Sequence, residues 1–160
     1  MLKNTKDFQQ SAANYMQNGY YTSALPGTQA YYDYWDSEKR KCVYGHVIDN
    51  VAITGNHYFY LNYCPIDRSV KEILPDGTEI ARRDRSFPAF YDGDWKYFTA
   101  VDTCRKQNKH MTVLKARRKG YSYKAAAMLA RNYFFVRNSK NYVFAGQKEY
   151  IIGDGLLSKA

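Results

Sequence analysis

Cysteine is scarce in this 160-residue chain, and its three copies, Cys42, Cys64 and Cys104, lie 22 and 40 residues apart. Such a set matches neither a close-paired zinc site nor a disulfide framework, so we expect three reduced thiols. The three histidines show no metal-ligand spacing either. No apolar run approaches the roughly 18 residues of a membrane span, and the N-terminus lacks the apolar segment of a signal peptide. The sequence therefore predicts a soluble, cytosolic protein without a zinc site.

The composition is that of a folding, basic chain. Hydrophobic residues make up 45% and aromatic residues 17%, including 17 tyrosines, which is enough to form a core. Lys and Arg number 24 against 15 Asp and Glu, which gives a formal charge of +9 and favours polyanionic partners. No internal repeat or Gly/Ser-rich linker divides the sequence. We expect one domain, or part of one.

Local patterns predict the elements of the first 108 residues. Residues 1–24 are polar and are expected to form a helical or loosely ordered lead-in. Aromatic residues at helical spacing predict a helix over 29–41, and residues 42–49 and 51–54 look like short strands. The aromatic run 57–63 alternates as a strand would and is expected to pack in the core. A Leu-Pro-Asp-Gly-Thr turn within 73–80 predicts a hairpin, and a second helical period predicts a helix at 93–107.

A strand–loop–helix–strand pattern follows. Residues 111–114 are short, apolar and β-prone, and residues 115–122 form a basic loop that contains glycine and serine. Residues 123–131 have the strongest helix propensity in the chain, and the helix is expected to end near 138–139. Residues 141–146 are predicted to form a second buried strand, parallel to the first. The pattern is typical of an α/β P-loop NTPase fold.

The loop offers most of what a nucleotide triphosphate needs. Gly120 permits close approach of the backbone to phosphate at a helix N-terminus, and the hydroxyl of Ser122 can ligate Mg²⁺. The strict motif has lysine immediately before that serine, where this chain has Tyr121. Cations are abundant earlier in the loop, so a relocated lysine could neutralise the phosphates; the candidates are Lys115, Arg117, Arg118 and Lys119.

The run Lys-Ala-Arg-Arg-Lys-Gly-Tyr-Ser at 115–122 resembles the deviant Walker A motif of the large terminase subunits of tailed bacteriophages, some of which place the functional lysine at the start of the loop. Two upstream segments also resemble parts of that family. Residues 53–66 are similar to the segment that precedes the ATPase core, where aromatic and polar residues lie near the adenine. Residues 87–92, followed by Trp95 and Phe98, are similar to a later part of the same region.

The resemblance implies an ATP-driven motor that packages viral DNA in the cytoplasm of a bacterial host. Lys115 and Arg118 would be the catalytic cations, and Ser122 would bind Mg²⁺ through its hydroxyl. The remaining predicted ATP contacts are Ala116, Arg117, Lys119, Gly120, Tyr121, Tyr58, Tyr60 and Asn62. Implied partners are double-stranded viral DNA, the small terminase subunit, the portal and further copies of the chain in a ring.

The same resemblance divides the chain into an α+β segment at 1–108, beside the nucleotide site, and the start of a truncated ATPase core at 109–160. The acidic residues that would activate water, and the nuclease domain of the family, do not occur in the sequence. We therefore expect weak nucleotide binding without turnover by these 160 residues.

Two alternatives stay open. The first is a non-catalytic basic module that binds nucleic acid through Arg82, Arg83, Arg85 and the 115–119 loop, with tyrosines stacking on unpaired bases. A solvated surface patch explains the arginine cluster equally well. The second alternative is a fragment of another P-loop ATPase, such as a helicase.

Overall fold

The computed structural model describes residues 5–116, 120–152 and 155–160, with all side chains of these ranges except those at 68 and 69. It contains both helices and β-sheets, as the sequence predicts. The helices are α1 (Gln10–Asn18), α2 (Gln29–Tyr44), α3 (Gly55–Tyr63), α4 (Asp92–Lys106) and α5 (Tyr121–Phe135). The strands are β1 (His46–Ile48), β2 (Val51–Ile53), β3 (Ile66–Ile73) and β4 (Glu79–Ser86). Single 3₁₀ turns lie at Thr5–Gln9, Lys148–Tyr150 and Leu157–Lys159.

Helix α3 is the centre of the fold. Its first eight residues are all buried, and α1, α2, α4 and α5 pack around it. The Thr54 hydroxyl begins the helix by accepting a hydrogen bond from the His57 backbone N–H. The strand predicted for 57–63 is therefore wrong, although its place in the core is confirmed. Because every face of α3 is covered, it lacks the polar stripe that identifies an ordinary surface helix.

A buried carboxylate joins the first three helices. Glu38 of α2 accepts hydrogen bonds from the hydroxyls of Ser11, Tyr58 and Tyr63 at 2.6–2.8 Å, and from the Lys41 ammonium at 2.7 Å. Burial alone would raise the pKa of Glu38, but these four hydrogen bonds together lower it below its ordinary value. The carboxylate is therefore kept ionised inside the protein, where it links α1, α2 and α3.

Helix α5 is fastened to the end of α2. The guanidinium of buried Arg131 donates from Nε to the Cys42 carbonyl and from Nη2 to the Val43 carbonyl, both at 2.9 Å. These carbonyls lie in the last turn of α2, where a cation is favourable. The first residue of α3, Gly55, approaches the same two carbonyl oxygens so closely that a Cβ there would overlap them. The end of α2, the start of α3 and a side chain of α5 thus meet at one junction.

Both sheets are antiparallel hairpins. Strands β1 and β2 are joined by Asp49 and Asn50, whose positive φ angles of 49° and 64° fit the tight type I′ turn. Strands β3 and β4 pair from Ile66↔Ser86 to Ile73↔Glu79, and the predicted Leu-Pro-Asp-Gly-Thr turn joins them. The hairpin predicted around 73–80 is confirmed, with longer strands than the sequence suggested.

The strands predicted at 111–114 and 141–146 are not formed. Residues 109–116 and 139–145 have no regular structure, and no strand in the described ranges lies beside either segment. A β-strand needs a neighbour to pair its backbone groups, so a β-prone sequence alone does not suffice. The parallel strand pair that defines a P-loop sheet is accordingly absent from the described parts of the chain. The helix between the segments is present as α5, at 121–135.

Candidate functional site

A cavity of about 780 Å³ lies where the segment before α5 faces helices α3 and α4. Its volume falls within the range of roughly 300–1,000 Å³ that is typical of small-molecule sites. Its lining combines charged residues and the start of α5 with apolar and aromatic residues. A ligand that has both an anionic group and a flat, weakly polar group fits this lining.

The lining includes the start of the predicted phosphate loop and the glycine of that loop. Lys115, Ala116 and Gly120 all line the cavity. Gly120 precedes α5 in the left-handed conformation (φ 69°), which glycine adopts without strain. No described side chain caps this helix N-terminus, in contrast to the threonine caps of α2 and α3. The first N–H groups of a helix lack intrahelical partners and attract anions.

A buried ion pair forms part of the same wall and is not evident from the sequence. The Lys124 ammonium, from the first turn of α5, lies 2.5 Å from the Asp94 carboxylate, from the first turn of α4. Both side chains line the cavity. The Lys124 ammonium also lies 4.1 Å from the centre of the Tyr121 ring and 5.9 Å from that of Tyr97, within reach of a cation–π interaction.

The apolar part of the lining comes from three segments. Tyr60 of α3, Ile66 at the start of β3 and the segment that precedes α4 supply it, the last through Pro88, Ala89 and Tyr91. Tyr60 is buried and packs 5.5 Å from Phe98, centre to centre. Aromatic and proline side chains that are already held by the core offer a rigid surface to a planar ring.

The predicted site residues fall into four groups. Lys115, Ala116, Gly120, Tyr121 and Tyr60 come together around the cavity. Ser122 is exposed and does not line it. Arg117, Arg118 and Lys119 lie outside the described residues, so their predicted roles stay predictions.

Two further predicted nucleotide contacts are engaged inside the protein and do not line the cavity. The Tyr58 hydroxyl donates to Glu38. The Asn62 amide accepts from the backbone N–H of Ala12 and donates to the Phe8 carbonyl, which fixes α1 on α3. Both side chains are buried.

Histidine 57 lies in the core at the first turn of α3. Its ring packs 5.0 Å from Phe98 and 4.9 Å from Phe90, and neither ring nitrogen has a hydrogen-bond partner among the described residues. Burial, with a smaller contribution from the Lys124 charge, lowers its pKa to about 3. His57 is thus neutral at physiological pH and acts as a core aromatic residue.

The arginine cluster of the hairpin is balanced by acids. Lys71 pairs with Glu79 at 2.6 Å, and Arg82 with Glu72 at 3.8 Å. Asp67 lies opposite Arg85 in the strand register. Residues 66–86 contain five basic and five acidic side chains, so this hairpin is a poor candidate for a polyanion-binding arm.

No group of His, Cys, Asp and Glu in the described ranges is arranged to hold a metal ion. The three cysteines form no disulfide, as predicted. None of the helices in the described part of the chain is long and apolar enough to cross a membrane. No protein-family model, curated protein or solved structure matches this chain.

Proposed function

We propose that this chain binds ATP in the cavity before α5, and that it is the nucleotide-binding part of a DNA-packaging motor of the terminase large-subunit kind. One observation carries the proposal: Lys115, Gly120 and the uncapped N-terminus of α5 all line one nucleotide-sized cavity. The resemblance of residues 115–122 to a deviant Walker A motif supplies the particular kind of motor.

The residues present fit a nucleotide. The lining supplies a lysine, a glycine without a side chain and a helix N-terminus, which suit phosphate. Its apolar residues, which include Tyr60 and Pro88, suit a base. The Mg²⁺ ion would come with the phosphates, since this metal keeps several water and phosphate ligands. Ser122 is the residue predicted to add a hydroxyl ligand. It is exposed in the first turn of α5 and does not line the cavity, so its substitution tests the metal role separately from the role of Lys115.

In this proposal the protein binds and orients the nucleotide. Lys115 neutralises the β and γ phosphates, and the backbone N–H groups at the start of α5 donate to their oxygens. Bound ATP supplies the phosphoanhydride bond whose cleavage drives movement of DNA in motors of this kind. Arg118 is proposed as a further cation at the phosphates.

The distribution of charge supports a polyanionic partner. Residues 103–147 contain eleven Lys and Arg and no Asp or Glu, whereas the rest of the chain contains thirteen basic and fifteen acidic residues. The whole positive excess therefore lies in the segment that carries the loop and α5. Exposed cations of this segment include Lys106 and Lys109, near the C-terminal end of α4. Duplex DNA is the partner we propose, because neutralising its phosphates releases counterions. The small terminase subunit, the portal and a ring of copies are proposed on the resemblance alone.

Calorimetric titration with a non-hydrolysable ATP analogue tests the nucleotide site. We expect Lys115→Ala to weaken binding by about tenfold or more, the effect of one charge-assisted hydrogen bond. Lys109→Ala is the matched control, because it removes the same charge from the same basic segment but does not line the cavity. Ser122→Ala should weaken binding only when Mg²⁺ is present. Equal effects of Lys115→Ala and Lys109→Ala would contradict a local phosphate contact.

A second candidate is a non-catalytic nucleic-acid-binding module, which the acid-free segment 103–147 also favours. It predicts tight, salt-sensitive binding to single-stranded DNA that ATP does not change. The proposed ATPase predicts that the ATP analogue alters DNA binding, or binds without DNA. Titrations with both ligands, separately and together, distinguish the two functions.

A further inference from the structure

The buried pair Lys124–Asp94 holds a second cation in the wall of the cavity that Lys115 also lines. A lysine in the first turn of a helix is unfavourable, because it adds positive charge to the positive end of the helix dipole. Burying that lysine is costlier still, unless an anion accompanies it. The Asp94 carboxylate, 2.5 Å away, supplies that anion.

The contact with Tyr121 shows in which direction the Lys124 side chain extends. Tyr121 occupies the position where the strict phosphate-loop motif has lysine, and it lies three residues before Lys124 in α5. Residues three apart share one face of a helix. The Tyr121 ring lies 4.1 Å from the Lys124 ammonium, and both residues line the cavity. The lysine side chain thus reaches back over the tyrosine toward the start of the helix.

We propose that Lys124 is a phosphate-contacting cation of this site, that Asp94 is the residue that positions it, and that Tyr121 supports it. The inference rests on the proposed function, because it assigns a second cation to the same nucleotide. Lys115 is exposed on the loop, whereas Lys124 is fixed in the wall before any ligand arrives. A cation that is already ordered loses little entropy when it binds, which favours affinity.

A double variant tests this assignment. Lys124→Met with Asp94→Asn removes one positive and one negative charge, so the net charge of the protein is unchanged. Because both charges are removed together, no uncompensated buried charge remains, so we expect the fold to persist. The negative charge of Asp94 itself repels an anion, so its loss does not account for weaker binding by electrostatics. A loss of affinity in the double variant can therefore be assigned to the missing ammonium.

Two probes locate the contact. We expect the double variant to bind inorganic tripolyphosphate and the ATP analogue at least about tenfold more weakly than wild type, with similar factors for the two probes. Unchanged affinity for both, in a variant whose thermal unfolding shows that it is folded, would overturn the inference. If Lys115→Ala still abolishes binding in that case, the proposed function stands. If wild type binds neither probe, the proposed function fails and this inference fails with it.

A measurement on the wild-type chain covers the case in which the double variant does not fold. The NMR signal of the Lys124 side-chain ε-carbon, assigned by its disappearance in Lys124→Arg, should shift when tripolyphosphate saturates the site. A signal that stays in place at saturation would overturn the phosphate contact.

Discussion

Acidification should destabilise this protein through His57, and the magnitude follows from its surroundings. The ring lies between Phe90 and Phe98, without a hydrogen-bond partner in the described structure, and the Lys124 ammonium is the charge that acts on it. Its pKa falls to about 3 from an ordinary value of 6.5. The unfolded chain therefore takes up a proton at a higher pH than the folded chain does.

Because the unfolded chain is protonated first as the pH falls, acidification lowers the free energy of unfolding. Stability from a neutral buried histidine is present above pH 6.5 and is lost as the pH falls from there toward 3. At pH 5 nearly every unfolded chain and almost no folded chain carries the proton. The free energy of unfolding should then be lower than at pH 7 by about 2 kcal/mol, with a slope of about 1.3 kcal/mol per pH unit.

Urea unfolding at pH 7, 6 and 5 measures this loss, with His57→Phe as the comparison. Carboxylates that titrate in the same window contribute equally to both proteins, so the difference between their pH profiles reports His57 alone. We expect that difference to change by about 2 kcal/mol between pH 7 and 5. The control His110→Phe, at an exposed position, should follow the wild-type profile. Parallel profiles for wild type and His57→Phe would refute the role assigned to this burial.

Three further predictions concern the junctions of the core. Arg131→Met should lower the free energy of unfolding by roughly 2–4 kcal/mol, since two carbonyls at the end of α2 lose their donor; exposed Arg137→Met should change it by less than about 0.5 kcal/mol. Gly55→Ala should destabilise by more than about 2 kcal/mol, because its Cβ meets those carbonyls, whereas Gly93→Ala in α4 has open space and should be neutral or stabilise by up to about 1 kcal/mol. Glu38→Ala should cost roughly 3–5 kcal/mol, because a partly buried ammonium and three hydroxyls lose their acceptor. Chemical denaturation measures each change in the free energy of unfolding. If Arg137→Met costs as much as Arg131→Met, or Gly93→Ala as much as Gly55→Ala, the reason given for that substitution is wrong.

Local signals predicted the parts of the fold that depend on local physics. The helices α2 and α4 follow from the spacing of aromatic residues, and the β3–β4 turn follows from the Pro-Asp-Gly sequence. Helix α3 was not predicted, because a helix buried on every side carries no amphipathic stripe. Its threonine cap at Thr54, followed by Gly55, was the available signal.

Features that depend on residues far apart in the sequence were predicted less well. The apolar segments 111–114 and 141–146 favour strands, but pairing decides whether a strand forms, and the described chain offers no neighbour. The pair Lys124–Asp94 joins residues 30 positions apart and requires α4 and α5 to be adjacent. A lysine in the first turn of α5, where the helix dipole disfavours it, was the one local hint that a carboxylate lies beside it.

Nuclear magnetic resonance of the backbone amides tests most directly whether phosphate binds at the start of α5. In a titration with the ATP analogue and Mg²⁺, we expect the largest shifts at the amides of Lys115 and Gly120 and in the first turn of α5, with little change in the β3–β4 hairpin. If the largest shifts fall in the hairpin, or if no amide responds at millimolar analogue, the cavity is not a nucleotide site and the proposed function is wrong.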